Sequence, residues 1–261
     1  MREIISESQF VWKQILFIIT LPFLLIQILL GKKPISDLLT PLKDFFIFVI
    51  QAKVTFFLIV ANIGMYILEI YYFSEEVLES LVFQPQHLFQ LQFMPIVASW
   101  FLHANLLHLA GNMLFLFIFG RVVENKLGSF KLLFIYFGSA IISSTIAALF
   151  GQGGIGASGA IAGLIATAIL IHPFYLTYLI VGIPIPIMVV GWLAILADIT
   201  GVLVPQDDNI GHFAHLGGYF AITILVFFLN REEREAMKKG LLFNLLFVAV
   251  AAGLAYYFGI I

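Results

Sequence analysis

None of the 261 residues is cysteine. That excludes disulfides, thiolate metal sites and a cysteine nucleophile, and leaves the redox compartment open. Charge is nearly as scarce: Asp, Glu, Lys and Arg make up 11% of the chain, where a soluble domain carries about 25%. With a net charge of −2 and no basic stripe, nothing points to a nucleic-acid partner. The alternation of apolar and polar residues that marks a membrane barrel is missing. So are internal repeats and any linker that would divide soluble from membrane parts. The first apolar run lacks a small-residue cleavage site, so a removable signal peptide is not expected. Neither His-Glu-x-x-His nor Gly-x-Ser-x-Gly occurs, which removes the sequence signatures of a zincin and of the soluble hydrolase elbow.

What is present is hydrocarbon. Hydrophobic residues make 62% of the chain and the mean hydropathy is +1.07. Such a chain is an integral membrane protein, and helices are the spanning form left to it. The reading is an all-α, polytopic membrane helix bundle. Apolar stretches near the ~20 residues needed to cross a bilayer lie at about 54–72, 104–120, 131–150, 157–172, 183–203, 211–229 and 240–260.

Cations orient the bundle. Arg121, Lys126 and Lys131 follow the second span, and Arg231, Arg234, Lys238 and Lys239 follow the sixth. The intervening connections carry Glu75, Glu76 and Glu79, or Asp207 and Asp208, and no cation. The positive-inside rule makes the first group cytoplasmic and the second external. Ile261 then ends outside. Residues 14–30 are a short apolar run with Pro22 inside and Lys at both ends. They fit an interfacial segment better than an eighth, tilted span. Residues 34–46 read as an amphipathic surface helix.

Polar groups inside apolar stretches are functional suspects by default. His108 and Asn112, four apart, share a helix face and can point donors at one oxygen; interhelical hydrogen bonds are the plainer alternative. His103 reads as a loop anchor. Gly120, Glu124 and Gly128 read as close packing plus a hydrogen-bond anchor. Ser158 lies among Gly156, Ala157, Gly159 and Gly163, a surface small enough for a neighbouring backbone to approach. His215 precedes Gly217-Gly218. His212, one turn before it, raises the question of a metal pair, but no third ligand at fitting spacing is seen and no metal is expected. Asp198 reads as a local cap or hydrogen bond rather than a substrate or proton site; it could orient His215 only if the fold brought it close, and no carboxylate is expected there. His87 and His172 read as structural.

In chain order these clusters resemble the rhomboid family of intramembrane serine proteases. The resemblance runs from His103-Ala-Asn-Leu-Leu-His108-Leu-Ala-Gly-Asn112, through Gly120-Arg-Val-Val-Glu124, to Gly156-Ala-Ser158-Gly159 and Ala214-His215-Leu-Gly-Gly218. It implies a six-helix core with a Ser–His dyad in a hydrated cavity open to the outer side. Ser158 would be the nucleophile and His215 the general base. His108, Asn112 and the Ser158 N–H would donate to the oxyanion, and Gly156 would line the site. It implies cleavage of transmembrane protein substrates near the external face, with those substrates and the lipid bilayer as partners and no metal or organic cofactor. Three regions follow: 1–52 as N-terminal interfacial or extra membrane segment, 53–230 as catalytic core, 231–261 as cytoplasmic linker and seventh helix. A multi-pass protein of a prokaryotic plasma membrane is expected; the sequence sets no oligomeric state. Two positions depart from many relatives: Ala162 replaces an aromatic that packs on the catalytic histidine, and Ile222 replaces a glycine. The alternative function is a catalytically silent membrane protein that binds transmembrane segments.

Overall fold

The structure is a computed structural model that describes residues 6–178, 182–204 and 210–259. Asp207, Asp208 and Ile261 lie outside the described residues. An N-terminal pair, α1 (Glu7–Leu29) and α2 (Thr40–Ile50), precedes α3 (Lys53–Tyr71). Three short helices follow: α4 (Glu75–Leu81), α5 (Pro85–Phe89) and α6 (Phe93–Ser99). Next, α7 (Leu106–Phe115) runs through a π-helical turn at Leu116–Gly120 into α8 (Arg121–Leu127). The remainder is α9 (Ser129–Leu149), α10 (Ser158–Ile171), the two-residue strands β1 (Leu176–Thr177) and β2 (Ile185–Pro186), α11 (Ile187–Leu203), α12 (His212–Leu225) and α13 (Arg231–Tyr257). Apart from that antiparallel pair and one bridge between Phe83 and Gly154, the described residues are helical or loop.

By length and apolar composition five helical stretches can cross a membrane: Glu7–Leu29, Lys53–Tyr71, Leu106–Leu127, Ser129–Leu149 and Arg231–Tyr257. The apolar helices of α10, α11 and α12 are shorter. Central among them is α10, where every residue from Gly159 to Ile169 is buried. A helix apolar on all sides belongs inside a bundle. At 14 residues and ~1.5 Å per residue, α10 is about 21 Å long, less than the ~30 Å hydrocarbon core. A helix of that length leaves at least one of its ends within the hydrocarbon layer.

Three boundaries differ from the hydropathy reading. The fifth span begins at Ile187 rather than 183, because Pro184 and Pro186 hold apolar backbone extended, and β2 pairs with β1 there. The helix around Asn112 continues to Leu127 instead of ending near 120. The last helix starts at Arg231, not 240, leaving no linker: the Asn230 side chain accepts from Glu233 N at 2.9 Å and Glu233 accepts from Asn230 N at 3.0 Å, a capping box. Near its start, Glu233 pairs with Lys131, so the two cation-bearing connections share one end of the bundle. Asn244 then fixes α13 to the core, donating to Ile169 O at 2.7 Å and accepting from Trp192 Nε1 at 2.8 Å.

The α1–α2 pair packs through Phe10 stacked on Phe48, centroids 4.4 Å apart. Glu7, buried, accepts from Thr177 Oγ1 at 3.0 Å and from Tyr178 N, tying α1 to the segment after α10. Glu124 behaves as the anchor read from sequence: it accepts from Val54 N, Thr55 N, Thr55 Oγ1 and Ser129 Oγ, capping α3.

Candidate active site

The loop 151–157 descends to Ser158 on glycine. Gly154 N donates to Phe83 O at 2.9 Å and Gly156 N to Ser99 O at 2.8 Å, so the α4–α6 segment holds the loop from above. Gly156 has φ +125°. A Cβ there would lie 2.9 Å from His108 Nε2 and 3.6 Å from Asn112 Nδ2. The two side chains of α7 thus converge on the backbone two residues before Ser158, and only glycine admits both.

Donor directions follow from the partners. Asn105 caps α7, accepting from His108 N at 2.9 Å. Ala104 N donates to His108 Nδ1 at 3.4 Å, so Nδ1 is the acceptor of that ring and Nε2, facing Gly156, carries the hydrogen. Asn112 is 8% exposed, and its Nδ2 has no hydrogen-bond partner among the described residues. Ser158, as the first residue of α10, offers a third N–H with no acceptor within its own helix. His108 Nε2 and Asn112 Nδ2 therefore meet at Gly156, beside a helix N-terminus where the dipole favours negative charge.

His215 arrives from α12. A Cβ on Gly218 would lie 2.1 Å from Gly159 O, so the backbones of α10 and α12 touch. Ser143 of α9 bridges the same level, donating to Ala214 O at 2.7 Å while its Oγ occupies the space beside Gly159. The neighbours of Ser158 and His215 are thus held by one side chain. Ala162 and Ile222 are both buried in this contact region and do not open it.

One expectation fails. A carboxylate does stand beside His215: Asp198 of α11, 6% exposed, accepts from His215 Nδ1 at 2.7 Å. It also accepts from His212 Nδ1 at 2.9 Å and from Tyr219 Oη at 2.8 Å. Sequence spacing hid it, because the loop between α11 and α12 separates Asp198 from residues that the fold puts around it. The available signal was a lone carboxylate in an apolar span. Asp198, His212 and His215, with ligand atoms within 4.8 Å of one another, also have zinc-compatible donor types, the third ligand that spacing alone did not offer. His103 is the loop anchor it was read to be: its N–H reaches the Glu69 carboxylate at 3.2 Å, and its ring lies 5.1 Å from that of His108. His87 accepts from Gln84 N at 3.1 Å, a cap on α5.

Comparison with known proteins gives a consistent picture. A family model described as "Rhomboid domain" matches residues 90–232. The chain is 29% identical over 197 residues to Rhomboid-like protein 11, chloroplastic, of Arabidopsis thaliana, covering 72% of this chain and 69% of the relative. It is 26% identical over 181 residues to RHOMBOID-like protein 12, mitochondrial, of the same plant, covering 62% and 54%. Against Rhomboid protease GluP of Bacillus subtilis it is 33% identical over 162 residues, covering 60% of this chain and 30% of that protein. The chain thus spans about half of the second relative and under a third of the third.

Proposed function

Since this chain belongs to the rhomboid family, we propose that it is an intramembrane serine endopeptidase that cleaves transmembrane protein substrates near the external face. The observation that carries this reading is the convergence of His108 Nε2 and the unpartnered Asn112 Nδ2 on the Gly156 backbone, two residues before Ser158. A buried amide donor costs ~1–3 kcal/mol when left unmet. A site that keeps one open beside a serine is arranged for an oxygen that arrives with the substrate.

In the proposed reaction Ser158 Oγ attacks the scissile carbonyl while His215 takes its proton. The carbonyl oxygen, now negative, accepts from His108, Asn112 and the Ser158 N–H, each such donor being worth about 10²–10³ in rate. Protonated His215 then gives its proton to the leaving amine. Water, deprotonated in turn by His215, hydrolyses the acyl-enzyme. The shortness of α10 supports access for that water. Nothing in the scheme calls on a metal or organic cofactor. For the membrane itself, we read a prokaryotic plasma membrane; the bacterial relative agrees with this, whereas two relatives are named for chloroplast and mitochondrion.

A fluorophosphonate probe tests the reading, because it reacts with an activated serine only. Wild-type protein in detergent should label, and Ser158→Ala and His215→Ala should neither label nor cleave a single-span substrate while remaining folded. Undiminished turnover in either variant overturns the assignment. A folded wild type that never labels would instead favour the silent binding protein, a reading to which the "rhomboid-like" names of the plant relatives lend weight.

A further inference from the structure

We propose that Asp198 is the positioning residue of His215, holding its ring and selecting its tautomer, so that the dyad works as Ser158–His215–Asp198. The inference rests on the proposed peptidase reading and deepens it. His212, His215 and Tyr219 occupy positions i, i+3 and i+7 of α12, one face of the helix. All three turn a donor to the single carboxylate that α11 presents to that face: two ring nitrogens to Oδ1 and the phenol to Oδ2. Burying an ionised carboxylate is costly unless it is hydrogen-bonded. Here three donors hold it, two on one oxygen and one on the other, which fixes the plane of the group.

An ionised carboxylate accepts only, so each partner must be the donor. His215 therefore carries its hydrogen on Nδ1, and Nε2 keeps a lone pair. That is the tautomer a base needs when Ser158 lies on the other side of the ring. When the serine proton moves to Nε2, the ring becomes an imidazolium with both nitrogens protonated. The positive charge then faces Asp198 at 2.7 Å. The carboxylate stays ionised throughout, and the proton leaves with the amine product. His212 shares Oδ1, and its ring has room because residue 201 is glycine: a Cβ there would lie 2.1 Å from His212 Nε2. Its bond keeps the carboxylate from rotating away from His215.

Two measurements test this. In ¹⁵N NMR of histidine-labelled wild-type protein, the His215 signals, assigned by their loss in His215→Ala, should show a protonated Nδ1 and an unprotonated Nε2. The reverse tautomer overturns the proposal, and this measurement needs no Asp198 variant to fold. In Asp198→Asn the amide can donate to Nδ1 and favour the wrong tautomer. Its kcat, normalised to folded protein, should fall by on the order of 10²–10⁴, as in serine proteases that lose an orienting carboxylate. KM should stay within about twofold, fluorophosphonate labelling should slow in parallel, and Asp198→Glu should recover part of kcat. An unchanged kcat in folded Asp198→Asn, with Ser158→Ala inactive, refutes the role of Asp198 and leaves the peptidase reading standing. Activity surviving in Ser158→Ala would instead remove the peptidase reading itself.

Discussion

Asn112 carries a clear functional signature, because its buried amide nitrogen has no partner among the described residues and meets His108 at Gly156. Replacing it with alanine removes an unmet donor, so the free protein should lose little stability. The transition state should lose about 10²-fold or more in kcat, the scale of one oxyanion donor. Thermal unfolding in detergent and substrate kinetics check both halves; a rise in KM alone would assign Asn112 to substrate binding. The partners at this site were readable in sequence because each sits in a local cluster: His108 and Asn112 four apart, Ser158 among glycines, His215 before Gly217-Gly218. Asp198 was not, since nothing local distinguishes it from a capping carboxylate. Only the packing of α11 on α12 surrounds it with His212, His215 and Tyr219.

Helix contact does at the level of elements what hydrogen bonds do at the level of atoms. Ser158 and His215 sit on different helices, and the approach of those helices depends on the missing side chain of Gly218 against Gly159 O. Gly218→Ala should force α10 and α12 apart, costing about 1–3 kcal/mol by overpacking. It should lower the unfolding temperature by several degrees and slow fluorophosphonate labelling of Ser158. Wild-type labelling and an unchanged melting curve would contradict the contact. The existence of each core helix was legible as an apolar stretch, but helix ends were less so. Hydropathy measures apolarity, not helicity, so Ile183-Pro184-Ile185-Pro186 counts as span while its prolines keep it out of α11. The polar start of α13 was likewise missed, because Arg231–Lys239 is charged yet capped by Asn230.

At the scale of the whole molecule, charge and packing agree on which connections share an end. Lys131 and Glu233 pair at one end, while the loop 151–157 meets Phe83 and Ser99 at the other. Single cysteines test the sidedness, since the chain has none of its own. A membrane-impermeant thiol reagent applied outside intact cells should label Cys introduced at the exposed Glu76 and spare Cys at Lys126 or Arg234. The reverse pattern would invert both the topology and the proposed side of cleavage. The enclosure of α10 also has a consequence for biosynthesis. This helix is buried from Gly159 to Ile169, yet its partner α12 comes later in the chain. At ~5–20 residues per second, translation puts roughly 3–11 s between Ser158 and His212. Throughout that interval α10 can pack on α9, which precedes it, but the side that α12 will cover has only lipid or the translocation machinery to meet. On the proposed peptidase reading the nascent chain carries its serine without its base, so newborn protein would have no catalytic pair until α12 has entered the membrane.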